Sequence, residues 1–435
     1  MALIIALYIL TGIWVMCIEY RKVSRSRKIT FGTFCFSFFA VFCYIIPGLT
    51  IWDGDLSRCI RHSEFYAAIS YFITLICCIS AYLGYNTGRS HYKSKRKERL
   101  DDINSRNITA TAVILLIISI ISLYLYTSGY GGIIQTMMSG GQIRASFIQS
   151  ENQFTFFKHF IPLSIISSLL IYTDIFIKKN KKKIFFKILL LIVSIIISLI
   201  YIMANDGRLL AGIYLLLFII INLKYKFEVK RTSLKKMIFG GLFVCVIIFF
   251  VIIQSESWFS AIRNVTSVST DKRTILDTIL GEFNFIYVGL HTAIYYQINS
   301  NIDFVIVNDF VNGLFAWLPT SLKPIIYEDV WDFNTKLIND GGYGQSPVNI
   351  VGQSVYDLGL IGAFLIPFLY TYIVGKLENI FINNYSTVGL VFFCVIGFYL
   401  GKAMMYSSFY NIMMNVFFIA IAWMVYHYII AKLKI

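Results

Sequence analysis

The chain has 435 residues, of which 57% are hydrophobic, 17% aromatic and only 14% charged, and its mean hydropathy is +0.71. A soluble domain of this length has too little interior to hide that much apolar surface, so water-soluble globular and disordered classes are excluded. The formal charge of +15 sits in short clusters between apolar runs, which is how membrane proteins distribute basic loops and argues against a nucleic-acid partner.

Eight runs before residue 254 are long enough, as helices, to cross about 30 Å of hydrocarbon while satisfying their own backbone hydrogen bonds. They are predicted at 2–18, 29–51, 65–84, 108–126, 155–177, 184–204, 209–223 and 237–253. Three more follow at 348–374, 386–401 and 411–430. The expected fold class is an all-α polytopic membrane protein of about eleven transmembrane helices, folded as a single integral membrane domain and solvated by a lipid bilayer. The first run has no basic segment before it, and Arg21, Lys22, Arg25, Arg27 and Lys28 follow it, so it reads as a retained helix rather than a cleaved leader.

Basic clusters recur after the first, third (Arg89 to Arg99), fifth (Lys178 to Lys183) and seventh (Lys224 to Lys236) runs. Because cytoplasmic loops retain Lys and Arg, this alternation predicts an outward N-terminus and a cytoplasmic C-terminus. Seven of the eight cysteines lie in apolar runs and only Cys59 lies in an outward loop, so neither a disulfide framework nor a zinc pattern is present. The spans before residue 254 read as free of buried charge.

Two outward segments exceed the needs of a connector. Residues 127–154 carry five glycines around Arg144, and residues 254–347 contain two short apolar stretches, 283–298 and 304–318. The second stretch holds Asn308, Asp309 and Asn312, whose burial against lipid is costly, so both are expected to be amphipathic or re-entrant; if both cross, the span count rises to thirteen. A polar module over a helical bundle suits an enzyme whose lipid-attached substrate presents its head group at the membrane surface.

Arg208, in the NDGR turn at 205–208, lies outside against the general charge bias. It reads either as an interfacial snorkelling residue or as a bidentate donor to phosphate oxygens. Arg144, Arg263 and Arg273 are further candidates for one anion site, although each taken singly is an ordinary surface charge. His291 is a candidate proton-transfer group or a packing residue, and Glu282 and Asp340 are candidate carboxylate bases. In NDGGYGQSPVNIVGQSVYDLGLIG (339–362), Gly341, Gly342 and Gly344 allow close approach of a ligand, Tyr343 and Ser346 are candidate contacts, and Ser346 with Pro347 predicts a capped helix start. Metal ligands are not among the candidates: neither DxD nor HExxH occurs in the outward segments, and no cofactor is implied.

The glycine-rich GGYGQSP leading into VYDLGLIG, the outward NDGRLL turn and the two large outward segments resemble the O-antigen polymerase (Wzy-like) family. The resemblance implies a GT-C-like membrane fold and an inverting, metal-independent glycosyltransferase of polysaccharide (lipopolysaccharide) biosynthesis. Such an enzyme moves a growing glycan from undecaprenyl diphosphate to an incoming undecaprenyl-diphosphate-linked oligosaccharide, alongside a chain-length regulator protein. It also implies that arginines hold the diphosphate, which maps onto Arg208 and then onto Arg144, Arg263 and Arg273. The chain departs from the family at Gln353, where a Glu is common, so no carboxylate base is available there. An O-antigen ligase shares topology and donor, and a lipid-linked glycan flippase or other multi-pass transporter is the rival of another class.

Overall fold

The computed structural model of the chain describes residues 1–54, 56–90, 105–144, 148, 150, 152–205, 207–233, 280–299, 303–319, 322–323, 328–339, 346–382 and 384–433. Among these residues the secondary structure is helical and contains no strand. Among the described residues nine helices are long and apolar enough to cross a membrane, the property expected of a polytopic membrane protein. They are α1 (Ala2–Ser26), α2 (Phe31–Asp53), α3 (Glu64–Ser90), α4 (Ser105–Ser128), α7 (Phe154–Ile177), α8 (Ile184–Ala204), α9 (Arg208–Lys224, continuing to Val229), α13 (Ile350–Phe381) and α15 (Phe409–Leu433).

The remaining helices are shorter. They are α5 (Ile133–Met138), α6 (Gly140–Arg144), α10 (Phe285–Asn299), α11 (Ile306–Leu314), α12 (Val330–Asn339) and α14 (Thr387–Lys402). At 15 residues, α10 would extend only about 22 Å, short of the hydrocarbon thickness. The expected span at 237–253 lies outside the described residues, and α14, expected as a span, has 16 residues.

The chain divides into two compact units. Unit 1 comprises Met1–Arg96, Lys272–Ile382 and Gly397–Asn415. Its centre is the pairing of α3 with α13, where glycines bring the backbones together. A Cβ on Gly84 would stand 2.2 Å from the Phe368 carbonyl oxygen, and one on Gly88 2.2 Å from that of Tyr372. Small residues are how helices associate in lipid, where no hydrophobic force separates protein from solvent. Thr371 adds a 2.7 Å hydrogen bond to the Ala81 carbonyl.

Near the far end of α13, the buried Glu378 accepts the Phe31 N–H at 2.7 Å and the Gly32 N–H at 3.4 Å, and pairs with Arg89 at 3.3 Å. A carboxylate at the first turn of α2 satisfies donors that no helix can satisfy internally. Thr30 and Thr33 complete that turn as a capping box. Farther along α2, Pro47 cannot donate a backbone hydrogen bond, and the turns before it widen into a π segment at Ala40–Ile45.

Unit 2 comprises Lys97–Asp271, Asn383–Ile396 and Val416–Ile435. Serines join its helices: Ser164 to Ser198 at 2.8 Å, and Ser167 to Ser194 at 3.1 Å and to the Ala112 carbonyl at 2.8 Å. The expectation that the spans before residue 254 lack buried charge is wrong at Glu19 in α1 and at two ion pairs in unit 2, one of them Lys224 with Glu228. Asp174 and Lys187, both almost wholly buried, form an ion pair across the turn from α7 to α8. Hydropathy averaging hid the pair because each charge stands at the end of an apolar run and neutralises the other.

Candidate active site

The polar interior of unit 1 gathers where α13 begins. The extended stretch before α13 is held on both sides. Its Ser346 N–H donates to Thr335 Oγ1 at 2.7 Å, the Ser346 carbonyl accepts from Asn334 Nδ2 at 2.7 Å, and the Val348 carbonyl accepts the Ser407 N–H at 2.8 Å. Ser346 is therefore not the helix cap that the sequence predicts. Asn349 is, its side chain accepting the Gly352 N–H at 2.8 Å, because Ser346 is tied to α12 three residues too early.

The first eight residues of α13, from Ile350 to Asp357, form a separate short helix. At Leu358 (φ −136°) and Gly359 (φ 61°) the chain leaves helical geometry before turning into the long remainder. Only glycine adopts that positive φ without strain. The freed Tyr356 carbonyl accepts the Val305 N–H at 3.1 Å, which ties the break to the start of α11.

Four aspartates gather at this corner: Asp309 and Asp357 are wholly buried, Asp329 nearly so, and Asp332 is exposed. Asp329 stands just before α12 and accepts the Asp332 N–H at 2.9 Å, an ordinary helix-start arrangement. Burial, then the neighbouring Asp332 charge, pushes the Asp329 carboxyl up to about 7, while Asp309 adds to the push. Asp332 is also raised, by burial and by Glu328. One Asp309 oxygen accepts both the Phe409 N–H and Gln353 Nε2, each at 2.9 Å; burial lifts this carboxyl to about 6 against those bonds. The same Gln353 accepts from the Ser407 hydroxyl. Gln353 thus supplies no base itself, but it holds one of the buried carboxyl groups. Asp309 is thus buried against hydrogen-bond donors.

The predicted residues fall as follows. His291 is fully buried on α10 among Tyr66, Tyr287, Tyr295 and His62, and neither ring nitrogen has a hydrogen-bond partner. Burial, then His62, pushes it down to about 4, so it is neutral at pH 7 and a weak base there. Glu282 is exposed one short turn ahead of α10. In unit 2, α6 seats Gly140 against the end of α8, where an added Cβ would lie 2.7 Å from the Met203 carbonyl oxygen. Arg144 ends α6, and Arg208 begins α9 directly after the turn that closes α8. Arg263, Arg273, Asp340 and Tyr343 lie outside the described residues.

Sequence reasoning missed Asp329, Asp332 and Asp357 as site residues. Asp357 stood in the quoted VYDLGLIG, and the EDVWD stretch carries the acidic start signal of a helix, but neither pattern reveals burial. Among the described residues no three His, Cys, Asp or Glu side chains converge as ligands of a metal ion. No family model, no curated protein and no solved structure matches the chain.

Proposed function

We propose that the chain is a repeat-unit polysaccharide polymerase working at the outer face of the bacterial inner membrane. It transfers a growing glycan from undecaprenyl diphosphate to a hydroxyl of a lipid-linked repeat unit. The observation that carries this reading is Asp329, a carboxyl raised to about 7 beside the start of a broken apolar helix. A base is most effective when its pKa lies near the working pH. In the reaction, the acceptor hydroxyl oxygen bonds to the anomeric carbon as its bond to the diphosphate oxygen breaks. The diphosphate leaves with the electron pair, and the hydroxyl proton passes to Asp329.

The leaving group needs positive charge, and arginine supplies a bidentate fork without a metal. Support comes from Arg208 being the first residue of α9, where backbone N–H groups lack helical partners. The alternating basic loops favour an outward-facing turn at Arg208.

The test is reconstitution with an undecaprenyl-diphosphate-linked repeat unit. Wild type is expected to give a ladder of products, and Arg208→Ala none at matched insertion. A ladder of normal length from the variant removes Arg208 from the reaction; products confined to a lipid A core acceptor identify a ligase. A transporter is a second reading, favoured by the helix break and the buried carboxyls, both common features of transport sites. Uptake of lipid-linked glycan by proteoliposomes without any ladder would establish it.

A further inference from the structure

Helix α11 has two unlike faces. Asp309 and Gly313 are buried in unit 1, where Asp309 accepts the Phe409 N–H and a Cβ on Gly313 would stand 2.8 Å from the Phe409 Cβ. The opposite face carries Val307, Phe310 and Leu314, and the chain extends it with Phe304 before the helix and with Trp317 and Leu318 after it. Steps of three and four residues place these six side chains on one stripe. All six are large, apolar and exposed, Val307 to 64% and Leu314 to 57%. The only charged residue between 304 and 318 is Asp309, on the buried side.

Contacts at both ends fix the level of α11 against the spans. At its start, the Val305 N–H donates to the Tyr356 carbonyl at the break in α13. Beyond that break, residues 360–381 extend about 33 Å at ~1.5 Å per residue, a full hydrocarbon thickness. The exposed apolar side chains of α13 also begin there, with Leu360 and Ile361, whereas residues 350–357 are buried. Farther along α11, Phe310 meets Phe409 edge-on at 5.6 Å between ring centroids, and Trp317 Nε1 donates to the Met413 carbonyl at 2.8 Å. Phe409 and Met413 belong to the first two turns of α15. The nine residues of α11, about 13 Å long, can join two points on one membrane face but not on opposite faces. The helix therefore lies along the hydrocarbon edge where α13 and α15 both begin.

We propose that α11 is an interfacial helix, its exposed stripe covered by phospholipid acyl chains of the leaflet in which α13 and α15 start. Lipid is the occupant because Phe304 abuts Gly359, one residue before Leu360, so that the stripe joins the outer surface of a span. Lys323 supports the same level. Its ammonium stands 4.8 Å from the centroid of the Tyr410 ring, in the first turn of α15, where lipid phosphates lie within reach of a cation. The acidic corner is thereby set at the membrane surface, with Asp309 about one helix diameter, roughly 10 Å, from the acyl chains. This lipid contact does not depend on the transfer reaction.

The experiment uses the full chain in nanodiscs of phosphatidylcholine brominated either near the head of its acyl chains or near their ends. Emission from Trp317 is taken as the difference between wild type and Trp317→Phe. Shallow bromines are expected to quench it at least about twofold more than deep ones. In a second sample Leu314 is replaced by p-benzoylphenylalanine, and irradiation is expected to add the mass of one phospholipid to the chain. Equal or stronger quenching by the deep bromines overturns the proposal, because α11 would then enter the bilayer core. Absence of quenching by either lipid also overturns it, as does a Leu314 adduct to a second copy of the chain or no adduct at all. The Leu314 adduct decides the matter if Trp317→Phe does not fold.

Discussion

Replacing Asp329 with Asn separates catalysis from stability, because the two should move in opposite directions. The substitution keeps the shape, and its amide oxygen can still accept the Asp332 N–H at the start of α12. What it removes is titration. A carboxyl raised from its ordinary 3.8 to about 7 holds its proton more tightly in the fold than in the unfolded chain. Wild type therefore has its full share of stability below about pH 4 and loses it as pH rises towards 7, where the folded group finally ionises. The interval is about 3 units, or at most about 4 kcal/mol. Above pH 7 Asp329→Asn should be the more thermostable protein, with the difference shrinking to nothing near pH 4. Polymerisation should nevertheless fall about 10²- to 10⁴-fold, the usual worth of a general base. Its remaining rate should lack the rise through pH 7 expected of wild type. Product ladders quantified from pH 5 to 9, with melting curves on the same samples, check both. Near-normal activity with an unchanged pH profile would refute the assignment of Asp329, and lower stability at pH 8 would refute its burial as the cause of the raised value.

Three further outcomes follow from geometry. Gly84→Leu forces a side chain against the Phe368 carbonyl and should separate α3 from α13, seen as loss of a monodisperse folded peak in detergent; Gly132→Ala, with open space around its Cβ, should disturb size and melting far less even at its positive φ. Lys187→Ala strands Asp174 in a buried site and should cost about 3–5 kcal/mol, while the double replacement with apolar residues should recover most of the loss. Glu378→Gln keeps some acceptor capacity at the start of α2 but loses the Arg89 pairing, so it should lower the melting temperature less than Glu378→Ala does.

Hydropathy located the long helices well because a membrane span is an average over some twenty residues, and averages tolerate local exceptions. Asp174 and Lys187 are such exceptions, invisible until their pairing is seen. The helix break at Leu358–Gly359 was equally hidden: VYDLGLIG reads as a continuous apolar helix with one interior glycine, and only tertiary contact with Val305 shows why the chain leaves the helix there. The acidic corner was the least legible part. Its four aspartates come from positions 309, 329, 332 and 357, in three separate segments, and burial rather than spacing gives Asp309, Asp329 and Asp357 their chemistry. Arg144 and Arg208 were chosen for their charge, and the backbone puts them at the end of α6 and the start of α9.

The interrupted helix also bears on leakage. Residues 346–357 belong mechanically to the short helices and the 403–408 turn, to which they are hydrogen-bonded, whereas the rest of α13 is locked to α3 by glycine contacts and anchored through Glu378. Movement of the first part can be absorbed at Gly359 without being passed down the second. A proton reaching Asp357 would then meet some twenty residues of helix joined to α3 beyond it. Such a barrier lets chemistry at one membrane face proceed without discharging the gradient across it.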